Sequence, residues 1–141
     1  MKILLAVDGS EHALRAAAHV ATLRARLAEP LTVLLLNVQA PVASGLVRRF
    51  LSQEALDGYY REEAQDALEP VQAAFAAAGV QVESHVVVGE VAATVAEFAT
   101  RHACDQIVMG TRGLGSVKGA LLGSVASEVL HLTDRPVLLV K

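Results

Sequence analysis

The groups in this chain best suited to chemistry are backbone amides rather than side chains. Half of its ten glycines lie between Gly110 and Gly123, in the run Gly110-Thr111-Arg112-Gly113-Leu114-Gly115-Ser116-Val117-Lys118-Gly119-Ala120-Leu121-Leu122-Gly123-Ser124. The apolar run Ile107-Val108-Met109 leads into it, and a helical pattern from Ser124 to Leu132 leaves it. Glycine lacks a Cβ, so backbone and ligand can approach closely. A strand, a glycine-rich loop and a helix N-terminus together form an anion site, because unpaired N–H groups and the helix dipole face the same point. No acidic residue occurs from Gln106 to Ser127, whereas Arg112 and Lys118 do, so the loop is locally positive on a chain of net charge −3. That field favours a phosphate-bearing ligand. A plain surface loop is the competing reading, but an apolar interior (Val117, Ala120, Leu121, Leu122) is poor material for a disordered one.

Two phosphate motifs fail on this stretch. A Walker A loop needs Gly-Lys followed by Ser or Thr, and Lys118 precedes Gly119 instead. The dinucleotide fingerprint starting at Gly113 needs a glycine where Lys118 stands, and it belongs after the first strand of its unit. Other side-chain chemistry is sparse. Of the five histidines, His12 and His19 lie two helical turns apart, and His85, His102 and His131 fall on separate elements, so no Cys/His cluster has ligand spacing. Cys104, the single cysteine, permits no internal disulfide and points to a reducing compartment, with a structural thiol ahead of a buried strand.

The elements that must position this loop alternate between strand and helix. At 141 residues the chain is expected to form one domain, 1–141. Lys2 to Val7 is a continuously apolar strand of the kind buried on both faces of a parallel sheet. It ends at Asp8-Gly9-Ser10, where Ser10 is suited to cap a helix bearing Ala13, Ala17, Val20 and Leu27 that Pro30 should close. Asp8 itself reads equally as a turn residue or as a ligand contact. Leu31 to Val38 is a second apolar strand, and Pro41 to Leu51 is a loop or partial helix. Ser52 to Ala78 is helical with Gly79 as its stop, and Pro70 should interrupt it. The alternating Val80 to Val88 marks a half-exposed edge strand. A helix with Val91, Val95, Phe98 and Ala99 on one side precedes the strand Gln106 to Met109, and Val137 to Val140 forms the last strand. The pattern predicts an α/β class, a three-layer α/β/α sandwich around a five-stranded parallel, Rossmann-like sheet. Ile3 to Val7 is too short for a signal or membrane segment, and a mildly acidic chain with few aromatics offers no broad nucleic-acid face.

Gly110, two residues, Gly113, nine residues, then Gly123-Ser124 resembles the ATP-binding signature of the universal stress protein family. The opening Lys2-Ile3-Leu4-Leu5-Ala6-Val7-Asp8-Gly9-Ser10, the approach Cys104-Asp105-Gln106 and the closing Arg135-Pro136-Val137-Leu138-Leu139-Val140 extend the resemblance along nearly the whole chain. It implies a cytoplasmic domain that binds ATP, with Mg2+ or Mn2+ carried in by the triphosphate, and a strand order that sets the first and fourth strands side by side. It implies roles residue by residue. Asp8 would hold the ribose; Ala6, Val7, Val38 and Met109 would enclose the adenosine end or contact it through backbone. Gly110 and Gly113 would let the loop pass close to the ligand. Arg112 would lie near the phosphates, and Gly123, Ser124 and Val125 would cradle them with main-chain N–H groups. Ala126 departs from the hydroxyl residue often found there. The family's last strand pairs two subunits, so a homodimer through Val137–Val140 is implied.

Three functions compete: a nucleotide-binding regulatory and stress-response module with little or no catalysis, a slow ATPase or phosphoryl-transfer enzyme, and a nucleotide-free dimeric interaction domain. Phosphoryl transfer needs a positioned nucleophile, a metal and charge stabilisation, and no dedicated base is visible. The glycine signature speaks against the nucleotide-free reading. The first function is the expectation.

Overall fold

The computed structural model describes residues 1–42, 45–115 and 121–141. In chain order the elements are β1 (Lys2–Ala6), α1 (Glu11–Arg24), β2 (Thr32–Gln39), α2 (Gly45–Phe50), α3 (Gln53–Ala77), β3 (Val82–Val88), α4 (Val91–Arg101), β4 (Gln106–Gly110), α5 (Ser124–Leu132) and β5 (Val137–Val140). The strands form one parallel sheet in the order β3-β2-β1-β4-β5, which is the α/β class and five-stranded sheet expected from the sequence. The chain crosses from one half of the sheet to the other between β3 and β4, which leaves β1 and β4 as neighbours with Leu4 opposite Ile107.

Each central strand is buried on both faces, which is why its sequence reads as an unbroken apolar run. Ile3, Leu5, Val33, Leu35 and Val108 meet α1 and α3, whose inward residues include Ala17, Val20, Val71 and Phe75. Leu4, Leu34, Leu36, Ile107 and Met109 meet α4 and α5 through Val95, Phe98, Ala99, Ala126 and Val129. Small residues on α1 (Ala13, Ala16, Ala17) bring that helix close to the strands. Both Ser10 and Ser52 cap their helices by accepting from the backbone N–H three residues on.

Two expectations need correction. Helix α1 ends at Arg24 rather than at Pro30, because the amides of Arg26 and Leu27 turn back to the Leu23 carbonyl; Leu27 is outside the helix. Pro70 does not interrupt α3. It stands on the exposed side with Asp66, whose carbonyl loses its helical partner but faces water, while Ala67, Leu68 and Val71 anchor the same turns to the sheet. β3 is an edge strand as expected, but helices cover both its faces unevenly. Val82 joins the α1/α3 core and Ser84 accepts from Gln72 of α3, whereas Val86 and Val88 farther along that face are exposed. The partial helix anticipated in 41–51 is α2, and residues 43–44 lie outside the described part. Among the described residues no helix is long and apolar enough to cross a membrane.

Cys104 is buried beside α4. Burial pushes its thiol above the ordinary cysteine range, outweighing the opposing pull of Lys2 and Arg135. An acid raised in the folded state stays protonated there while the unfolded chain ionises. Its contribution to stability is therefore intact below the ordinary thiol range and is lost as pH climbs through the raised value. Ellman's reagent at pH 8 should accordingly leave the native thiol unmodified and titrate one thiol per chain after denaturation; rapid native labelling would show that the α4 face opens.

Candidate functional site

A cleft of about 680 Å³ lies beyond the carboxyl ends of β1, β2 and β4. This is the topological switch point, where an open parallel sheet leaves a crevice because connections on its two sides diverge. All eleven residues nominated from the sequence line it: Ala6, Val7, Asp8, Val38, Met109, Gly110, Arg112, Gly113, Gly123, Ser124 and Val125. Residues 116–120, including Lys118, lie outside the described part.

One wall is the turn after β1. The Val7 amide donates to Leu36 O at 2.9 Å, continuing the ladder one step past the strand. Asp8 Oδ1 then accepts from the Ser10 amide at 3.0 Å, so this oxygen closes the turn into α1. The other oxygen faces the loop after β4: a Cβ placed on Gly113 would stand 2.5 Å from Asp8 Oδ2. Ser10 Oγ adds a second tie between the two loops by donating to Arg112 O at 3.4 Å. Gly110 has a different reason to be glycine. A Cβ there would lie 2.5 Å from His12 Cβ and 3.0 Å from the His12 carbonyl carbon, so the atoms it makes room for belong to α1. Here the sequence expectation of a close approach to ligand gives way to helix packing.

The opposite wall is the start of α5, and it too differs from expectation. Gly123, not Ser124, is the N-cap, and its amide donates to Thr111 O at 2.7 Å. That N–H is occupied and cannot serve a ligand. The first helical bond is made by Ser127 to Gly123 O, so the amides of Ser124, Val125 and Ala126 have no backbone partner among the described residues. Three adjacent donors at the positive end of the α5 dipole therefore open on the cleft. Thr111 Oγ1 and Arg112 Nε, from the loop between them, are buried without a partner among the described residues.

The inner end is apolar with a backbone edge. Ala6, Val38, Met109, Val95, Leu122 and Val125 enclose it. Leu36 O bonds toward β1 and Gln39 O bonds toward β3 through Gly89 N. By the alternation of a parallel ladder, the Val38 N–H and C=O point the same way as those of Leu36, but β1 has ended at their level. Among the described residues they are a free donor and acceptor, side by side.

Sequence reasoning missed Asn37, Gln39, Glu63 and Thr111, all of which line the cleft. Asn37 carried a signal, a polar residue inside the apolar run Leu34 to Val38 that ends up only 3% exposed. Glu63 carried none, since it reads as the solvated face of α3. The histidines lie elsewhere or behind the wall. His85 and His102, distant in sequence, come within 5.5 Å of each other beside the Phe98 ring, away from the cleft.

An open parallel α/β sheet with unpartnered helix-N-terminal amides and an apolar pocket at its switch point defines the structural class. The universal stress protein family model matches residues 1–141, and the chain belongs to that family. It is 40% identical to a universal stress protein of Thermus aquaticus encoded 3′ of a sulfhydrylase gene, over 99% of this chain and 97% of that one. It is 35% identical to universal stress protein MJ0531 of Methanocaldococcus jannaschii, over 99% of this chain and 81% of the relative. The solved structure of MJ0577 superposes with a TM-score of 0.85 at 31% identity, covering 99% of this chain and 94% of that one. Solved members of the fold include complexes with cAMP, dAMP and AMP.

The Asp8–Gly113 approach is testable by a paired substitution. Gly113→Ala should cost about 1–3 kcal/mol in urea unfolding, the usual range for overpacking. In an Asp8→Ala background most of that cost should vanish, because the atom it collides with is gone. Equal costs in both backgrounds would place the strain elsewhere.

Proposed function

We propose that this chain is an ATP-binding regulatory module of the stress response, with little or no catalysis of its own. The observation that carries this reading is the row of unpartnered amides at Ser124, Val125 and Ala126 facing an apolar pocket. A phosphate at the amides and a flat base in the pocket satisfy both ends of the cleft at once. The volume of about 680 Å³ falls within the range of roughly 300–1,000 Å³ typical of small-molecule sites. The cAMP complex of a universal stress protein 25% identical to this chain supports the same ligand class.

In this reading the Val38 N–H donates to N1 of adenine and the Val38 C=O accepts from its amino group. Ala6, Val7 and Met109 flank the base, and Asp8 Oδ2, left over from the turn, accepts from the ribose. Gly113 leaves Asp8 Oδ2 room beside the loop, whereas Gly110 makes room for α1. Arg112 offsets the phosphate charge. The buried orphan atoms of Thr111 and Arg112 fit a polar ligand that completes their hydrogen bonding. A divalent cation fits only as a companion of the triphosphate, since no three His, Cys, Asp or Glu side chains converge among the described residues. Asp8 and Glu63 are the carboxylates lining the cleft that would face it; Mg2+ or Mn2+ would supply charge neutralisation between phosphate oxygens.

Saturating ATP should raise the melting temperature by several degrees, because ligand at about 100 times Kd stabilises by about 2.7 kcal/mol. Gly123→Val should abolish the shift: its backbone (φ −76°, ψ 161°) suits a β-branched residue, but a Cβ there stands 3.4 Å from Thr111 O and Arg112 Cα, so the added methyls press on the loop. A retained shift would remove the α5 amides from the site. Bound ATP that survives for hours with Mg2+ fits a binding module, whereas turnover near about one per second would make the protein an enzyme.

The outer edge of β5 supports a second element of the reading, a homodimer. Among the described residues β5 pairs only with β4, and its four residues Val137–Val140 are all half-buried and apolar. Such an edge is a template for another strand. Light scattering should return twice the chain mass for the unsubstituted protein. A monomer in the unsubstituted protein would overturn the assembly.

A further inference from the structure

We propose that Gln39, held by Asn37, is a specificity-determining residue that reads the exocyclic amino group of the bound base; this rests on the cleft being an adenine-nucleotide site. The argument starts from a carbonyl that can only accept. Val7 O receives Asn37 Nδ2 at 2.8 Å, and Asn37 is buried. The Asn37 amide is thereby fixed, with Oδ1 turned the other way. Gln39 Nε2 donates to that Oδ1 at 2.6 Å. An amide whose nitrogen is committed presents its oxygen at its other end, so Gln39 Oε1 is left as an acceptor on a side chain that lines the cleft. The orientation of both amides follows from the chain of bonds rather than from either residue alone.

Gln39 follows Val38, whose N–H and C=O have no ladder partner among the described residues. Beside that pair it adds a second acceptor. A 6-amino group has two hydrogens: Val38 C=O takes one and Gln39 Oε1 the other. A 6-oxo group would meet two acceptors at once, and a substituted amino group would lose one of its bonds. Asn37 is a positioning residue in this scheme, since it touches Val7 and Gln39 rather than the ligand. Pre-fixing the glutamine removes the entropy cost of ordering it when the base arrives.

The discriminating probe is N6-methyl-ATP. Its remaining amino hydrogen still serves Val38, but nothing remains for Gln39. Calorimetry on the full chain should find ATP bound about tenfold more tightly than N6-methyl-ATP, the factor one ordinary hydrogen bond supplies. In Gln39→Leu the two should agree within about twofold, mainly through weaker ATP binding, while the free protein melts somewhat lower because the buried Asn37 Oδ1 loses its donor. Equal affinities in the unsubstituted chain, or a gap that survives in Gln39→Leu, would overturn the role of Gln39 and leave ATP binding standing. No binding of either nucleotide would overturn the reading of the cleft, and the role of Gln39 with it.

Discussion

Everything in the cleft depends on how near the loop after β4 comes to the turn after β1. Asp8 Oδ2 stands where a Gly113 side chain would begin, and Ser10 Oγ reaches the Arg112 carbonyl. That proximity comes from the sheet. β1 and β4 are parallel neighbours in register from Ile3 opposite Gln106 to Leu5 opposite Val108, so their carboxyl ends emerge together. The chain then leaves β1 toward one layer of helices and β4 toward the other, and the gap between the departures is the cleft. Apolar burial on both faces fixes the register, because the alternate residues Ile3, Leu4 and Leu5 cannot shift by one without exchanging their two cores.

The same geometry explains why polar atoms around the cleft divide into used and unused sets. Gly123 N is drawn to Thr111 O, and Thr111 N to Val140 O, so the loop is stitched to α5 on one side and to β5 on the other. This stitching holds the first turn of α5 rigid while its next three amides are left over. On β2 the pattern repeats: β1 stops one residue too soon for the ladder, Asn37 takes the last carbonyl, and Val38 is stranded. Unsatisfied backbone groups near apolar walls are costly unless water or a ligand completes them. Their clustering at both ends of one cleft is the physical content of the functional reading.

Much of this was legible in the sequence, for reasons that can be named. Period-two and unbroken apolar runs identify strands because burial, not propensity, selects them, and Ser10, Ser52 and Gly79 mark ends because their backbone needs are local. Pro70 misleads because a helix pinned by Ala67, Leu68 and Val71 tolerates one missing donor on its wet side. Gly110 and Gly113 stand out as a pair, yet their neighbours, His12 and the Asp8 carboxylate, sit about a hundred residues away, and spacing alone cannot tell a ligand from a helix. The nearness of β1 and β4 came from family likeness; pattern alone yields five strands without an order. Gln39 escaped notice for a related reason: a hydrogen bond between side chains two apart on a strand leaves no periodic trace.

The division of labour between backbone and side chain has a consequence for how such a protein can diverge. Phosphate recognition here would use amides whose existence follows from any helix beginning at that point, so substitutions at Ser124 or Ala126 alter a hydroxyl or a methyl without removing a donor. Base recognition, in the proposed reading, would have a fixed part, the Val38 edge, and a variable part, the side chains at 37 and 39. A change at Gln39 keeps the backbone ladder, since its carbonyl is held by Gly89 N, and costs one side-chain bond to Asn37 Oδ1. A change at Asn37 disturbs more, because a buried carbonyl at Val7 loses its donor. Ligand preference would therefore drift most readily at position 39, while the position that aims it resists substitution for reasons of stability.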